Sequence, residues 1–262
     1  MTDAILRLYA RLANKTEAFV NFDGNIEDYG FDEKLVAYRS KRSFPDMILR
    51  NGAMIEVKDS KSSTVTSFNS TYPSGKKSIV DLEELTGQRK RTMRDELRAT
   101  EDEPAFGEKR DIYYLVRTNR NDYPTVSFVH GSYFGDSESS AIAETLGDVL
   151  KEIRPDVDED RYDDLLEIID GEEHVRNHFS RTRKTSTGVK IRYRIMYEVD
   201  NDLNPNEHPD VASNALSLIV PTDRYRSSEE LGSEIDADVE TKSITHGDPD
   251  RDDEFHIAVS RP

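Results

Sequence analysis

The chain has 262 residues, 35% hydrophobic and 34% charged, enough to bury a substantial core in one large or two small domains and unlike a disordered tail. Its formal charge of -17, from 53 acidic against 36 basic side chains, argues at first against nucleic acid, whose phosphates seek Lys and Arg. The absence of cysteine excludes a disulfide frame, a thiolate metal site and a thiol nucleophile.

The acid surplus also reads as a halophilic composition, a hydrated surface suited to a salty cytoplasm, and local charge then says more about partners than the total does. The opening "MTDAILRLYARLANKTEAF" carries charges every few residues and no long apolar run. Neither a signal peptide nor a membrane span is expected, and the cytoplasm is the expected location.

Along the chain, Ile5, Leu8, Leu12 and Phe19 recur at helical intervals behind Thr2 and Asp3, which predicts one amphipathic helix over 3–19. "NFDGNIEDYGFDEK" is a polar, Gly-containing loop, and "FPDMILRNGAMIEVK" (44–58) a hairpin. "DLEELTGQRKRTMRDELRAT" reads as one or two exposed helices with Gly87 as a break and Met93/Leu97 as an i,i+4 pair. "DIYYLVRT" (111–118) and "TVSFVHGSYF" (125–134) are strands joined by a polar turn. Helical patterns follow from 141, then strands at 189–199, 215–220 and 254–259. The acidic "SSEELGSEIDADVE" and "HGDPDRDDE" read as solvated loops. The change of style near 140 divides a core (1–140) from a C-terminal elaboration (141–262), in an α/β fold with a mixed central sheet flanked by helices.

The hairpin holds the chemistry. A three-residue loop, with a type I turn on Arg50-Asn51 closed by left-handed Gly52, places Leu49 opposite Ala53, Ile48 opposite Met54, Met47 opposite Ile55 and Asp46 opposite Glu56. A two-residue Asn51-Gly52 loop would instead pair Asp46 with Val57 and send the carboxylates to opposite faces. In the three-residue register Lys58 joins Asp46 and Glu56 on one face, and Met47, Ile55 and Val57 point to a core. Two adjacent carboxylates repel, so they share a proton or hold a cation; hard oxygen donors suit Mg²⁺. A half-exposed hairpin that merely carries three charges is the alternative.

Pro45-Asp46 followed by Glu56-Val57-Lys58 resembles the motif of PD-(D/E)XK nucleases, closely over about fifteen residues, and the order of elements over roughly the first 135 resembles that family's αβββαβ core. The resemblance implies a restriction-endonuclease-like sheet and Mg²⁺-dependent hydrolysis of DNA phosphodiesters, with Mn²⁺ able to substitute. It implies Asp46 and Glu56 as metal ligands, the Val57 backbone carbonyl as a further one, and Lys58 beside the attacking water. Many members add a glutamate from the first helix; Glu17 fits nearest, with Glu27 and Glu33 as competitors.

The implied function is a type II restriction endonuclease acting on a specific double-stranded DNA sequence as a homodimer. A Holliday-junction resolvase or DNA-repair nuclease of the same superfamily, or a non-catalytic DNA-binding module, are the alternatives. After the motif, "DSKSSTVTSFNSTYPSGKK" offers Lys61, Asn69, Lys76 and Lys77 to phosphates or base edges. "PSGKK" lacks phosphate-loop spacing, so no nucleotide cofactor is expected. Between Glu173 and Glu198 there is no acid, and Arg181, Arg183, Lys184, Lys190, Arg192 and Arg194 form a basic stretch. Lys190, Arg192 and Arg194 alternate with apolar residues, so a strand would present them about 7 Å apart, matching a phosphate backbone. A charged, solvated edge strand is the other reading. His174 and His178 are i,i+4 but lack the surrounding pattern of a zinc site.

Overall fold

A computed structural model describes residues 3–41, 43–60, 74–86, 89–120, 122–135, 183–184, 190–191 and 203–262. The described strands are β1 (Val36–Arg39), β2 (Met47–Leu49), β3 (Met54–Asp59), β4 (Lys76–Lys77), β5 (Arg110–Arg120), β6 (Tyr123–His130), β7 (Arg183–Lys184), β8 (Lys190–Ile191), β9 (Leu216–Pro221), β10 (Glu240–Thr245) and β11 (Glu254–Ser260). The helices are α1 (Ala4–Ala13), α2 (Thr16–Val20), α3 (Ile79–Thr86), α4 (Arg91–Thr100) and α5 (Ser228–Glu234). No helix among the described residues is long and apolar enough to cross a membrane.

The strands form a mixed open sheet in the order β1-β2-β3-β5-β6-β9-β11-β10, with β4 paired to β5; β7 and β8 make a separate two-stranded ladder. β1, β2 and β3 run as an antiparallel meander, and β5 then lies parallel to β3. A parallel neighbour requires a crossover, which α3 and α4 supply. β6 lies parallel to β9, so the C-terminal strands extend the sheet that carries the hairpin. The predicted boundary near 140 lies outside the described residues.

Helices cover both faces, which is why the central strands read as nearly unbroken apolar runs. On one face Ile5, Leu8, Tyr9 and Leu12 of α1, with Phe19 of α2 and Leu231 of α5, pack on Met47, Ile55, Val57, Leu115, Phe128 and Leu218. Ile79 and Leu82 of α3 and Met93 and Leu97 of α4 cover Ile48, Met54, Tyr114 and Val116 on the other. The Met93/Leu97 pair is therefore core, and the two helices are only half exposed. Tyr9 Oη donates to the carbonyls of Leu216 (3.1 Å) and Ala258 (2.9 Å), tying α1 to β9 and β11.

Four expectations require correction. The single helix over 3–19 is two, because the Ala13 carbonyl is taken by the Thr16 (2.8 Å) and Ser260 (3.2 Å) hydroxyls, which compete with the helical ladder there. "SSEELGSE" is the helix α5: Ser227 Oγ caps it by accepting from Glu230 N–H (3.3 Å), and Leu231 reaches the core. The strand predicted over 125–134 ends at His130, whose ring accepts from Ser132 N–H, and Gly131–Phe134 form a 3-10 turn; β1 and β10 fall where no element is predicted, since only Ala37 and Tyr38 of the one and Ile244 of the other are buried.

The hairpin turn also differs. Asn51, not Gly52, adopts the left-handed conformation, with φ of 48°. Gly52 answers a packing need: a Cβ there would stand 2.4 Å from Ala4 Cβ on α1. Gly52→Ala is expected to lower stability by about 1–3 kcal/mol. Ala4→Gly in the same chain should recover part of the loss in thermal melts, and no recovery would mean the contact is not the cause.

Candidate active site

Pairing of Met47 with Ile55 and of Ile48 with Met54 sets the hairpin in the three-residue register, closed by Leu49 N–H on the Ala53 carbonyl at 2.9 Å. Continued by one residue, that register sets Asp46 beside Glu56. The acids share the sheet face of Ile48 and Met54, because direct partners point the same way. Pro45 is buried, and the Phe44–Pro45 peptide is cis.

Asp46 Oδ2 accepts the Val57 N–H at 2.8 Å. Glu56 Oε1 accepts from Lys58 Nζ at 2.9 Å, with side chains only 9% and 11% exposed. Glu56 Oε2 is buried and accepts no hydrogen bond. Burial first, and then the Glu56 charge, raise the Asp46 carboxyl to about 8, against the lowering effect of the Val57 N–H; the Glu27 charge raises it further. One ammonium thus faces two mostly buried carboxyl groups, and a proton on Asp46 takes the place of a second counter-charge.

Asp46 opens onto a cleft of about 110 Å³ lined also by Glu27, Arg39, Ser40, Lys41, Met47 and Val57. Neither Glu56 nor Lys58 lines this cleft. Glu27 sits on a 3-10 turn (Ile26–Asp28), and its carbonyl accepts from Arg39 Nη2, while Lys41 pairs with Asp28. The cleft wall therefore carries two acidic and two basic side chains.

Among the described residues no group of three or more His, Asp or Glu is arranged to hold a metal ion. The two-carboxylate pair nonetheless fits a hard divalent cation: its oxygens are hard donors, one is buried without a hydrogen bond, and Lys58 balances only one of the two charges once Asp46 gives up its proton. Further oxygens would come from water and substrate.

Other predicted residues fall elsewhere. Glu17 is exposed on α2 and Glu33 is exposed near β1; neither lines the cleft, whereas Glu27 does. Lys77 is not a surface phosphate contact: it is 5% exposed, and its ammonium lies 5.7 Å from the centre of the Phe44 ring. The cause is β4, which pairs with β5 and turns Lys77 inward while Lys76 stays exposed, 3.8 Å from Asp111. Arg183, Lys184 and Lys190 lie on β7 and β8, where Lys184 pairs with Lys190 and Arg183 with Ile191. Lys61, Asn69, Arg181, Arg192 and Arg194, and the pair His174/His178, lie outside the described residues. The histidines of the described part are held structurally, as where His208 Nε2 meets the Thr245 carbonyl (2.9 Å) and His246 Nε2 that of Tyr133 (2.8 Å).

Arg39 and Lys41 carried no sequence signal beyond their charge, and a hidden strand next to the motif is the one feature that would have found them. Compared with known proteins, the chain matches no family model, no curated protein and no solved structure.

Proposed function

We propose that the protein is a Mg²⁺-dependent endonuclease that hydrolyses double-stranded DNA in the manner of a type II restriction enzyme. The observation that carries this reading is the convergence of Asp46 and Glu56 on one sheet face with Lys58 bonded to Glu56. The chain order supports it: a helix, an antiparallel three-strand meander, a helical crossover and a parallel strand follow the order that the PD-(D/E)XK resemblance implies.

Asp46 and Glu56 would hold the cation, with the Val57 carbonyl and Glu27 nearby. When bound, the ion supplies Lewis-acid polarisation of the phosphate and lowers the pKa of its water. Lys58 orients the attacking water and steadies the charge that grows on the phosphate oxygens. The water oxygen bonds to phosphorus in line with the leaving oxygen; as that P–O bond breaks, one water proton passes to solvent and the leaving oxygen is protonated. Arg39 and Lys41 stand where flanking phosphates would pass. A homodimer would cut both strands of a palindromic site.

Supercoiled plasmid and a four-way DNA junction, each incubated with Mg²⁺ or with EDTA, test the reading. Discrete plasmid fragments with Mg²⁺ alone are expected. Selective nicking of the junction would indicate a resolvase instead, and intact DNA that is nevertheless bound would indicate a non-catalytic module.

A further inference from the structure

One residue beyond Lys58, β3 ends in an arrangement unlike an ordinary surface ion pair. Asp59 and Arg117 are direct partners across the parallel β3–β5 ladder. Arg117 Nε donates to Asp59 Oδ1 and Nη2 to Oδ2, both at 2.7 Å. The same guanidinium donates from Nη1 to the Phe22 carbonyl (2.7 Å) and from Nη2 to the Gly24 carbonyl (2.6 Å). Asp59 Oδ2 also accepts the Ile26 N–H at 2.7 Å. Arg117 is 8% exposed and Ile26 wholly buried.

Three of these contacts grip residues 22–26, the stretch immediately before Glu27, and the other two lock Arg117 to Asp59. Charge-assisted bonds from a planar fork fix direction as well as distance, and burial keeps water from substituting for them. On its far side the turn is held by Arg39 on the Glu27 carbonyl. Glu27 lines the same cleft as Asp46, so the clamped segment fixes where this acid stands in the cleft wall.

The geometry points to Asp59 and Arg117 as positioning residues that hold Glu27 in the wall of the Asp46 cleft, where its charge favours a cation on the Asp46/Glu56 pair without ligating it, making the end of β3 a second part of the same site. Glu56 and Lys58 present the chemistry on one face of the strand, and the next residue, Asp59, on the other face anchors the loop that carries Glu27 to the cleft. This inference rests on the cation reading of the Asp46/Glu56 pair.

The test is calorimetric titration of the metal-free protein with Mn²⁺, for the wild type, Asp59→Asn, Glu27→Gln and the double variant, with thermal melts alongside. Asp59→Asn is expected to weaken Mn²⁺ binding about tenfold, Glu27→Gln similarly, and the double variant no more than Glu27→Gln alone, because the clamp acts through Glu27. If Asp59→Asn does not fold, Arg117→Lys takes its place, since it keeps the charge beside Asp59 and loses the fork. A lower melting temperature with wild-type Mn²⁺ affinity would make the clamp merely structural and overturn the inference. So would losses that multiply in the double variant. Wild-type protein that binds no Mn²⁺ would remove the cation reading itself and the clamp with it, whereas loss confined to the variants' predicted pattern supports both.

Discussion

Lys58→Ala is expected to reduce single-turnover cleavage of duplex DNA by about 10²–10⁴-fold while DNA affinity changes by less than about threefold. The expectation follows from position. Lys58 Nζ is bonded to Glu56 and its side chain is 11% exposed, so it is a poor contact for an extended phosphate backbone and well placed for one atom of one phosphate. Its removal deprives the transition state of a charge and leaves ground-state binding to residues on the rim, such as Arg39 and Lys41. Lys58→Arg should not rescue, because a planar fork does not fit where a point charge meets one Glu56 oxygen. A parallel loss of affinity and rate in Lys58→Ala would instead make Lys58 a binding residue, and unchanged cleavage would remove it from the chemistry.

The second large effect is on stability, and its sign is opposite. Asp46→Asn should make the metal-free protein more stable at neutral pH while abolishing cleavage. The Asp46 carboxyl, raised to about 8 chiefly by burial and then by Glu56, holds its proton in the folded state over a range where the unfolded chain has lost it. Below about pH 4 both states are protonated and the group contributes nothing. Between about pH 4 and the folded value, the folded state binds more protons, so stability falls as pH rises, by up to about 1.4 kcal/mol per pH unit, and then levels off. Asparagine removes this slope and still offers Val57 N–H an acceptor. In EDTA, the melting temperature of Asp46→Asn should exceed that of the wild type by several degrees at pH 8 and match it at pH 4. Mg²⁺ should narrow the gap at pH 8 by stabilising only the wild type. A variant less stable than the wild type at pH 8 would show that Asp46 is favourably paired without a cation.

Much of this site was legible because it is local. "RNG" between two apolar runs sets the loop, the loop sets parity, and parity puts Asp46, Glu56 and Lys58 on one face. The strand 111–118, the first part of the strand 125–134 and the division of the helical stretch into α3 and α4 were equally legible, each from a pattern contained within its own segment. What sequence reasoning missed depends on distant partners. Sequence favours Glu17 over Glu27 because the loop that carries Glu27 to the cleft is held by Asp59 and Arg117, Asp59 lying 33 residues from Ile26, and nothing within "NFDGNIEDYG" encodes that clamp. Lys77 was read as a phosphate contact because lysines usually face water, but its pairing with Arg110 on β5 decides which way it turns. The acidic run at 227–234 concealed a capped helix, since Ser227 and Glu230 have the spacing of an N-terminal cap and were read as charge alone.

The central claim is that the Asp46/Glu56 pair exchanges a shared proton for a divalent cation. Titrating Mn²⁺ into metal-free wild-type protein at pH 7, in two buffers of different ionisation enthalpy, measures both binding and proton release at once. The predicted result is saturable binding that releases about one proton, lost in Asp46→Asn and in Glu56→Gln. Absence of binding, or binding that neither substitution weakens, would contradict it.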